Sequence, residues 1–301
     1  RGADGADWIS VGGRGFRLDP LSSLAREQWL AGAETQGMAS GARILSAAAI
    51  DEARVEALFG ERITVDVSLR FDPATGAVSA LRERRLGAIV LARGPADKVD
   101  PEAISVALLE GVRTHGLAML PWSDGASALR QRAAFAGLGD LSDARLLADL
   151  DQWLAPLLSG RRRLEGIDLH GALQGLIGWD GMRSLDRLAP THLETPAGSR
   201  HAIDYGADAG PAVDVRVQAL FGMTEHPMVG EPRVPLTLRL TSPAGRPIQT
   251  TKDLPGFWSG SWTAVAREMR GRYPKHPWPD DPAAASATLR TKKADARRGG
   301  P

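Results

Sequence analysis

Residues 270–282 read Arg270-Gly-Arg-Tyr-Pro-Lys-His-Pro-Trp-Pro-Asp-Asp-Pro282, and the prolines at 274, 277, 279 and 282 limit the fold more than any other feature of the chain. Each proline removes a backbone N–H and fixes φ, so this stretch is excluded from helix interiors and central strands. An extended, polyproline-like strap is the conformation left to it. Tyr273 and Trp278 are then either anchors into the strap's own domain or platforms on which a base or a peptide docks.

The residues just upstream predict a helix. Trp258, Trp262, Val265 and Met269 fall at i, i+4, i+7 and i+11, one apolar stripe that has to be covered. Pro255 suits a first helical turn, and Asp253 before it is placed to cap free amides.

The chain has 301 residues, 43% of them hydrophobic, enough for about two domains with cores of their own. It has no cysteine, which excludes disulfides and thiolate zinc sites. No apolar run approaches the roughly 18 residues of a membrane span, and no secretory leader opens the sequence; a cytoplasmic protein without membrane partners is expected. A formal charge of +1 means that any footprint for a polyanion must be local. Because Arg1 replaces an initiating methionine and Gly2-Ala-Asp-Gly-Ala6 resembles linker, the expectation is a C-terminal part of a longer product.

The predicted class is α+β: an oligonucleotide-binding-like β-barrel over 1–98, a helical region over 99–190, a mixed α/β domain over 191–282 that includes the strap, and a disordered basic tail over 283–301. The first part reads as several short strands, a helix from Glu52 to Phe59 with Asp51 as cap and Gly60 as left-handed stop, and then strands over 63–71 and 78–91. Asp100-Pro101-Glu102 opens the helical region, where Ile104, Leu108 and Val112 share a face. Leu146, Leu150, Trp153 or Leu154, and Leu157 make a second stripe; Leu169, Leu173 and Ile177, then Met182, Leu185 and Leu188, make shorter ones. In the third part Val213, Val215 and Val217, and later Leu236, Leu238 and Leu240, alternate with polar residues, and Ser242-Pro-Ala-Gly245 turns the chain into a hairpin. Arg54-Val-Glu-Ala-Leu-Phe-Gly60 and Arg216-Val-Gln-Ala-Leu-Phe-Gly222 differ at one position, as two similarly capped helices would.

Several segments are similar to landmarks of the bacterial HrpB-type ATP-dependent helicases, relatives of the DEAH-box RNA helicases. They are Val11-Gly-Gly-Arg-Gly-Phe-Arg-Leu-Asp-Pro20, Arg84-Arg-Leu-Gly-Ala-Ile-Val90, Gly116-Leu-Ala-Met-Leu-Pro-Trp122, Leu188-Ala-Pro-Thr-His-Leu193, Leu240-Thr-Ser-Pro-Ala-Gly-Arg-Pro247 and the block from Asp253 to Pro282. The resemblance implies a parent RNA helicase whose N-terminal motor domains hold ATP and magnesium, and a barrel in the position read above. It makes those motor domains and single-stranded RNA or DNA the expected partners.

The chain carries no phosphate loop of its own. Such a loop needs Gly-Lys-Ser/Thr, whereas Lys98, Lys252, Lys275, Lys292 and Lys293 follow Asp, Thr, Pro, Thr and Lys. Asp51-Glu52 imitates a magnesium motif but reads better as a helix cap, and Gly13-Arg-Gly15 lacks the third glycine of a dinucleotide fingerprint. No cofactor or metal is expected in this chain, and no catalytic residue. Thr191, His192, Ser199, His201 and Asp204 are hydrolase residue types without a nucleophile elbow, and His192, His201 and His226 match no metal spacing. Nucleic-acid contact is the favoured chemistry. Arg82, Arg84 and Arg85 load one strand with guanidinium groups, and Arg272, Tyr273, Lys275, His276 and Trp278 interleave cations with rings. The competing class is an interaction or oligomerisation module, with the tryptophan helix and strap gripping a protein.

Overall fold

The computed structural model describes residues 7–38 and 40–297, which form two compact units. The first unit comprises the chain up to Leu120 together with Ala155–Glu165; the second comprises Pro121–Leu154 and everything from Gly166 onward. The helical stretch is thus divided between the two.

In the first unit β1 (Asp7–Ile9), β2 (Gly15–Arg17), β3 (Leu30–Gln36) and β4 (Ser40–Ala49) form a sheet of order β1-β2-β4-β3. Helix α1 (Glu52–Phe59) follows, capped by Asp51, whose carboxylate accepts the Arg54 N–H at 2.6 Å. Gly60 is right-handed, not the left-handed stop expected, because a short 3-10 turn continues from it. Then β5 (Ile63–Asp72), β6 (Ala77–Leu86) and β7 (Ile89–Pro95) make an antiparallel meander. The single strand expected over 78–91 is therefore two, folded back at Gly87, whose φ of 55° suits a tight hairpin.

The expected barrel does not close. Its strands stay in two separate sheets, because α1 and the 3-10 turn carry the chain from β4 to β5 without pairing them. Among the described residues the backbone bond between these sheets is Ala88 N–H to the Val11 carbonyl, 2.9 Å, turn to turn.

Helix α2 (Pro101–His115) begins where Asp100 accepts the Glu102 N–H and Pro101 needs no partner. It buries Ile104, Leu108 and Val112, the face the sequence predicts. Gly111 lets Phe71 of β5 press against the helix backbone; a Cβ there would sit 2.5 Å from the ring.

In the second unit α3 (Asp124–Ala136) is capped by Ser123 and stopped by Gly137 at φ 62°. The stripe from Leu146 onward is broken into α4 (Asp143–Ala148), α5 (Leu150–Trp153) and, in the first unit, α6 (Ala155–Leu158). After α6, residues 162–164 join the meander, with Val78 N–H to Arg162 O and Leu164 N–H to Gly76 O, both 2.9 Å. Helix α7 (Leu169–Leu188) is two helices meeting at Gly178, which has φ 73° and ψ 169°. It is tied to α3 by Arg132, whose buried guanidinium donates to Ala189 O at 2.8 Å and to Asp186 at 2.7 Å.

Two small hairpins, β8 (His192–Glu194) with β9 (Arg200–Ala202) and β11 (Met228–Val229) with β12 (Val234–Pro235), are separate from the main sheet. That sheet pairs β10 (Ala212–Arg216) parallel to β13 (Thr237–Thr241), which pairs antiparallel to β14 (Pro247–Thr251) across the predicted turn. The tryptophan helix is two helices, α8 (Leu254–Ser259) and α9 (Trp262–Arg272), because Gly260 leaves the helical region with φ −97° and ψ −96°. The near-repeat does not repeat in structure. Its first copy is α1, whereas the second is the end of β10 and a buried 3-10 turn over Val217–Leu220.

Residues 283–297, read from composition as a disordered tail, carry α10 (Lys292–Ala296) and backbone bonds to earlier residues of the second unit. Thr288 N–H meets Gln218 O at 3.2 Å and Lys292 N–H meets Lys275 O at 2.9 Å. Positions 298–301 of that tail, and the linker-like residues 2–6, lie outside the described residues.

Candidate nucleic-acid interface

The arginines of β6 do not act as one array, because successive side chains on a strand point to opposite faces. Arg82 and Arg84 oppose Val67 and Val65 across the β5 pairing and share their face; Arg85 opposes Thr64 and lies on the other. Arg84 is paired with Glu56 of α1 at 2.6 Å. Glu83 takes Arg85 at 2.8 Å and Arg93 at 2.6 Å, and these bonds hold its carboxyl below the usual range. Arg82 is exposed and has no ion pair among the described residues.

The strap is clamped to its own domain. Trp262 Nε1 donates to Pro279 O at 2.9 Å, Arg270 to Trp278 O at 2.7 Å and to Asp280 at 2.6 Å, and Gln218 Nε2 to Pro277 O at 3.1 Å. Trp278 is 4% exposed, its ring 6.1 Å from that of Trp262 and its Nε1 bonded to Tyr273 O at 3.0 Å. The stacking face expected of Trp278 is thus committed to the core, for a physical reason: prolines free carbonyls from any ladder, and the indole and guanidinium donors beneath satisfy them. Tyr273 is half-buried, with its hydroxyl 3.3 Å from that of Ser242; His276 is half-buried too, and its Nδ1 finds no partner among the described residues. Arg272 is exposed and paired with Glu268 at 3.1 Å, an i,i+4 helix pair worth only a few tenths of a kcal/mol. Lys275 is exposed, with no side-chain partner among the described residues.

Sequence reasoning missed Gln218, which is 1% exposed. The signal lay in the near-repeat, since its one differing position sets Glu56 against Gln218. Glu56 faces a cation, Arg84; Gln218 faces a carbonyl, which an amide can satisfy and a carboxylate cannot.

Both ring nitrogens of His226 are engaged by the backbone. Its Nε2–H donates to Leu236 O at 2.8 Å and its Nδ1 accepts the Leu254 N–H at 3.1 Å, fixing the neutral ring between β13 and α8. His201 instead meets Ser199 Oγ at 2.9 Å and Asp214 O at 3.0 Å, and His192 meets Thr191 at 2.9 Å. Among the described residues no cluster suits a metal ion. Ser199 and His201 touch, but a main-chain carbonyl stands where an orienting carboxylate would be needed.

Burial depresses the affinity of His226 for a proton. The unfolded chain then binds more protons than the folded one, so stability is full above the ordinary imidazole value near 6.5 and falls as pH drops below it. We expect urea midpoints for the second unit to decline on acidification below about pH 6.5, and His226→Gln to flatten that decline. An equally steep decline in the variant would remove His226 as its cause.

Residues 153–282 match the family model described as the ATP-dependent helicase C-terminal domain of HrpB. Over these residues the chain belongs to the HrpB C-terminal domain family. The HrpB match ends at Pro282, whose carbonyl accepts the Gly222 N–H at 2.9 Å, so it takes in the whole strap. The chain is 39% identical over 305 aligned positions to the ATP-dependent RNA helicase HrpB of Escherichia coli strain K12, covering 97% of this chain and 38% of that protein. The crystal structure of E. coli DExH-box NTPase HrpB superposes with a TM-score of 0.63 at 38% identity, over 97% of this chain and 37% of that one. That of Escherichia coli DEAH/RHA helicase HrpB gives 0.54 at 34%, over 90% and 35%. The chain therefore spans under two fifths of the length of these HrpB relatives. No described helix is long and apolar enough to cross a membrane.

Proposed function

We propose that this chain is an accessory part of an HrpB-type ATP-dependent helicase, holding single-stranded RNA or DNA for motor domains elsewhere in such a protein and hydrolysing no ATP by itself. The observation that carries the reading is the HrpB C-terminal match over 153–282 in a chain where no lysine follows a glycine. ATP and magnesium belong, on this reading, to the motor domains. Arg82 and Lys275 are exposed and have no side-chain partner among the described residues, and Arg272 could exchange a weak surface pair for a phosphate at little cost. Arg84 and Arg85 already serve Glu56 and Glu83.

The test is titration of short fluorescent single-stranded RNA over a range of salt. Each lost phosphate contact reduces the slope of log K against log salt by about 0.7 for a single strand. Arg82→Gln and Lys275→Gln should each do so, while Arg85→Gln should not. ATP turnover by the pure chain, or affinity indifferent to salt, would overturn the proposal. A second reading rests on the exposed Leu45, Val65, Val67 and Val90 of the first unit, apolar strand residues that suit docking of the remainder of such a helicase.

A further inference from the structure

The break in α7 exposes a ring that neither apolar stripe of that helix includes. Leu169, Leu173 and Ile177 belong to its first half and Met182, Leu185 and Leu188 to its second, while Trp179, at the first helical position after Gly178, is 79% exposed. Five of the other tryptophans, Trp8, Trp153, Trp258, Trp262 and Trp278, are buried, and Trp29 and Trp122 are half-buried. Leaving so large an apolar surface in water is unfavourable unless something covers it.

The surroundings indicate what would cover it. Arg183 is four residues further along the same helix, on the same face, exposed and with no hydrogen bond or ion pair among the described residues. Asp180, by contrast, points about 100° away around the helix. Gly175 and Gly178 precede Trp179 by four positions and one, and a Cβ built on either would meet nothing within 4 Å. A protein hot spot wants a rim of packed side chains that excludes water. Its neighbours in sequence, Gly178, Asp180 and Gly181, supply no large apolar side chain for such a rim, and Leu176 is the other exposed large apolar residue of the helix. An accessible π face with a free guanidinium one turn away suits a stacked base and its phosphate.

We infer that Trp179 and Arg183 form a stacking subsite for single-stranded nucleic acid, with one base on the indole and the adjoining phosphate at the guanidinium. This rests on the proposed nucleic-acid role and adds to it a place on the second unit that neither predicted cluster contains. Because both side chains are exposed, their replacement leaves the fold intact.

The test uses the whole chain and a short fluorescent oligouridylate. Trp179→Ala should weaken binding roughly 5- to 150-fold, the range that one stacked base is worth, and Trp179→Phe should restore most of it. Arg183→Gln should lower the salt slope by about 0.7. In the wild type, bound oligonucleotide should shield the most accessible tryptophan emission from acrylamide, and in Trp179→Phe that accessible fraction should be missing. If Trp179→Ala binds as the wild type does while Arg82→Gln and Lys275→Gln bind less, this subsite is wrong and the broader role survives. If the wild type binds no oligonucleotide, both fall. If Trp179→Ala keeps its RNA affinity but loses self-association in sedimentation, the ring docks protein and the inference is overturned.

Discussion

Trp262→Ala is expected to destabilise the second unit by about 3 to 5 kcal/mol, the range for emptying a buried large aromatic site. Trp262 is 0% exposed and stands among the rings of Trp258, Phe221, Phe257 and Trp278, with centroids at 5.3, 5.5, 6.0 and 6.1 Å. Its Nε1 also holds Pro279 O, a main-chain acceptor that the proline-rich strap leaves unpaired. Packing and hydrogen bonding separate in a second variant. Trp262→Phe keeps most of the ring contact and gives up the bond, which is worth about 1 kcal/mol net, so packing dominates. Amide hydrogen exchange within the second unit is the suitable readout, since two compact units need not unfold together. Protection in α9 and in β10 should fall together with the release of the strap. A loss under about 1 kcal/mol for Trp262→Ala would mean the aromatic cluster does not organise this domain.

That cluster also shows where reading the sequence succeeds and where it stops. Local signals were sufficient for α1, for α2 behind Asp100-Pro101, for β5 with its alternation, and for the hairpin at Ser242-Pro-Ala-Gly245, because each depends on capping, turn chemistry or period within a few residues. The fate of the strap was not legible. Whether Trp278 faces solvent or core depends on Trp262, sixteen residues back, and on Gln218, which lies 59 residues from the carbonyl it satisfies. The arginines of β6 were visible as a run, yet their separation onto two faces follows from strand parity, and their availability from partners as distant as Glu56. Trp179 belongs to neither apolar stripe, so no periodic signal marks it, and the helix breaks at Gly178 just before it. Barrel closure failed as an expectation for a related reason. Strand order in the sequence fixes which segments exist, whereas the joining of sheets is decided by which edges meet.

Gly87→Ala probes the place where the two sheets of the first unit do meet, and should cost about 2 to 4 kcal/mol from backbone strain and overlap together. Gly87 has φ 55°, which a side chain disfavours, and a Cβ there would overlap the Val11 carbonyl oxygen. That oxygen accepts the Ala88 N–H at 2.9 Å, so making room for the methyl group breaks the bond. Gly94 of β7 is the control: its φ is not positive and a Cβ there meets nothing within 4 Å, so Gly94→Ala should be close to neutral. Hydrogen exchange should show the Ala88 amide losing protection in the first variant and keeping it in the second, while the β5–β6 ladder stays protected in both. Equal effects of the two substitutions would mean that the turn-to-turn contact carries no weight. The contact also gives two family-like segments a physical reason to occur together. Val11 opens the stretch that ends at Pro20, Gly87 lies within Arg84-Arg-Leu-Gly-Ala-Ile-Val90, and each supplies one side of the tie between sheets that no ladder connects.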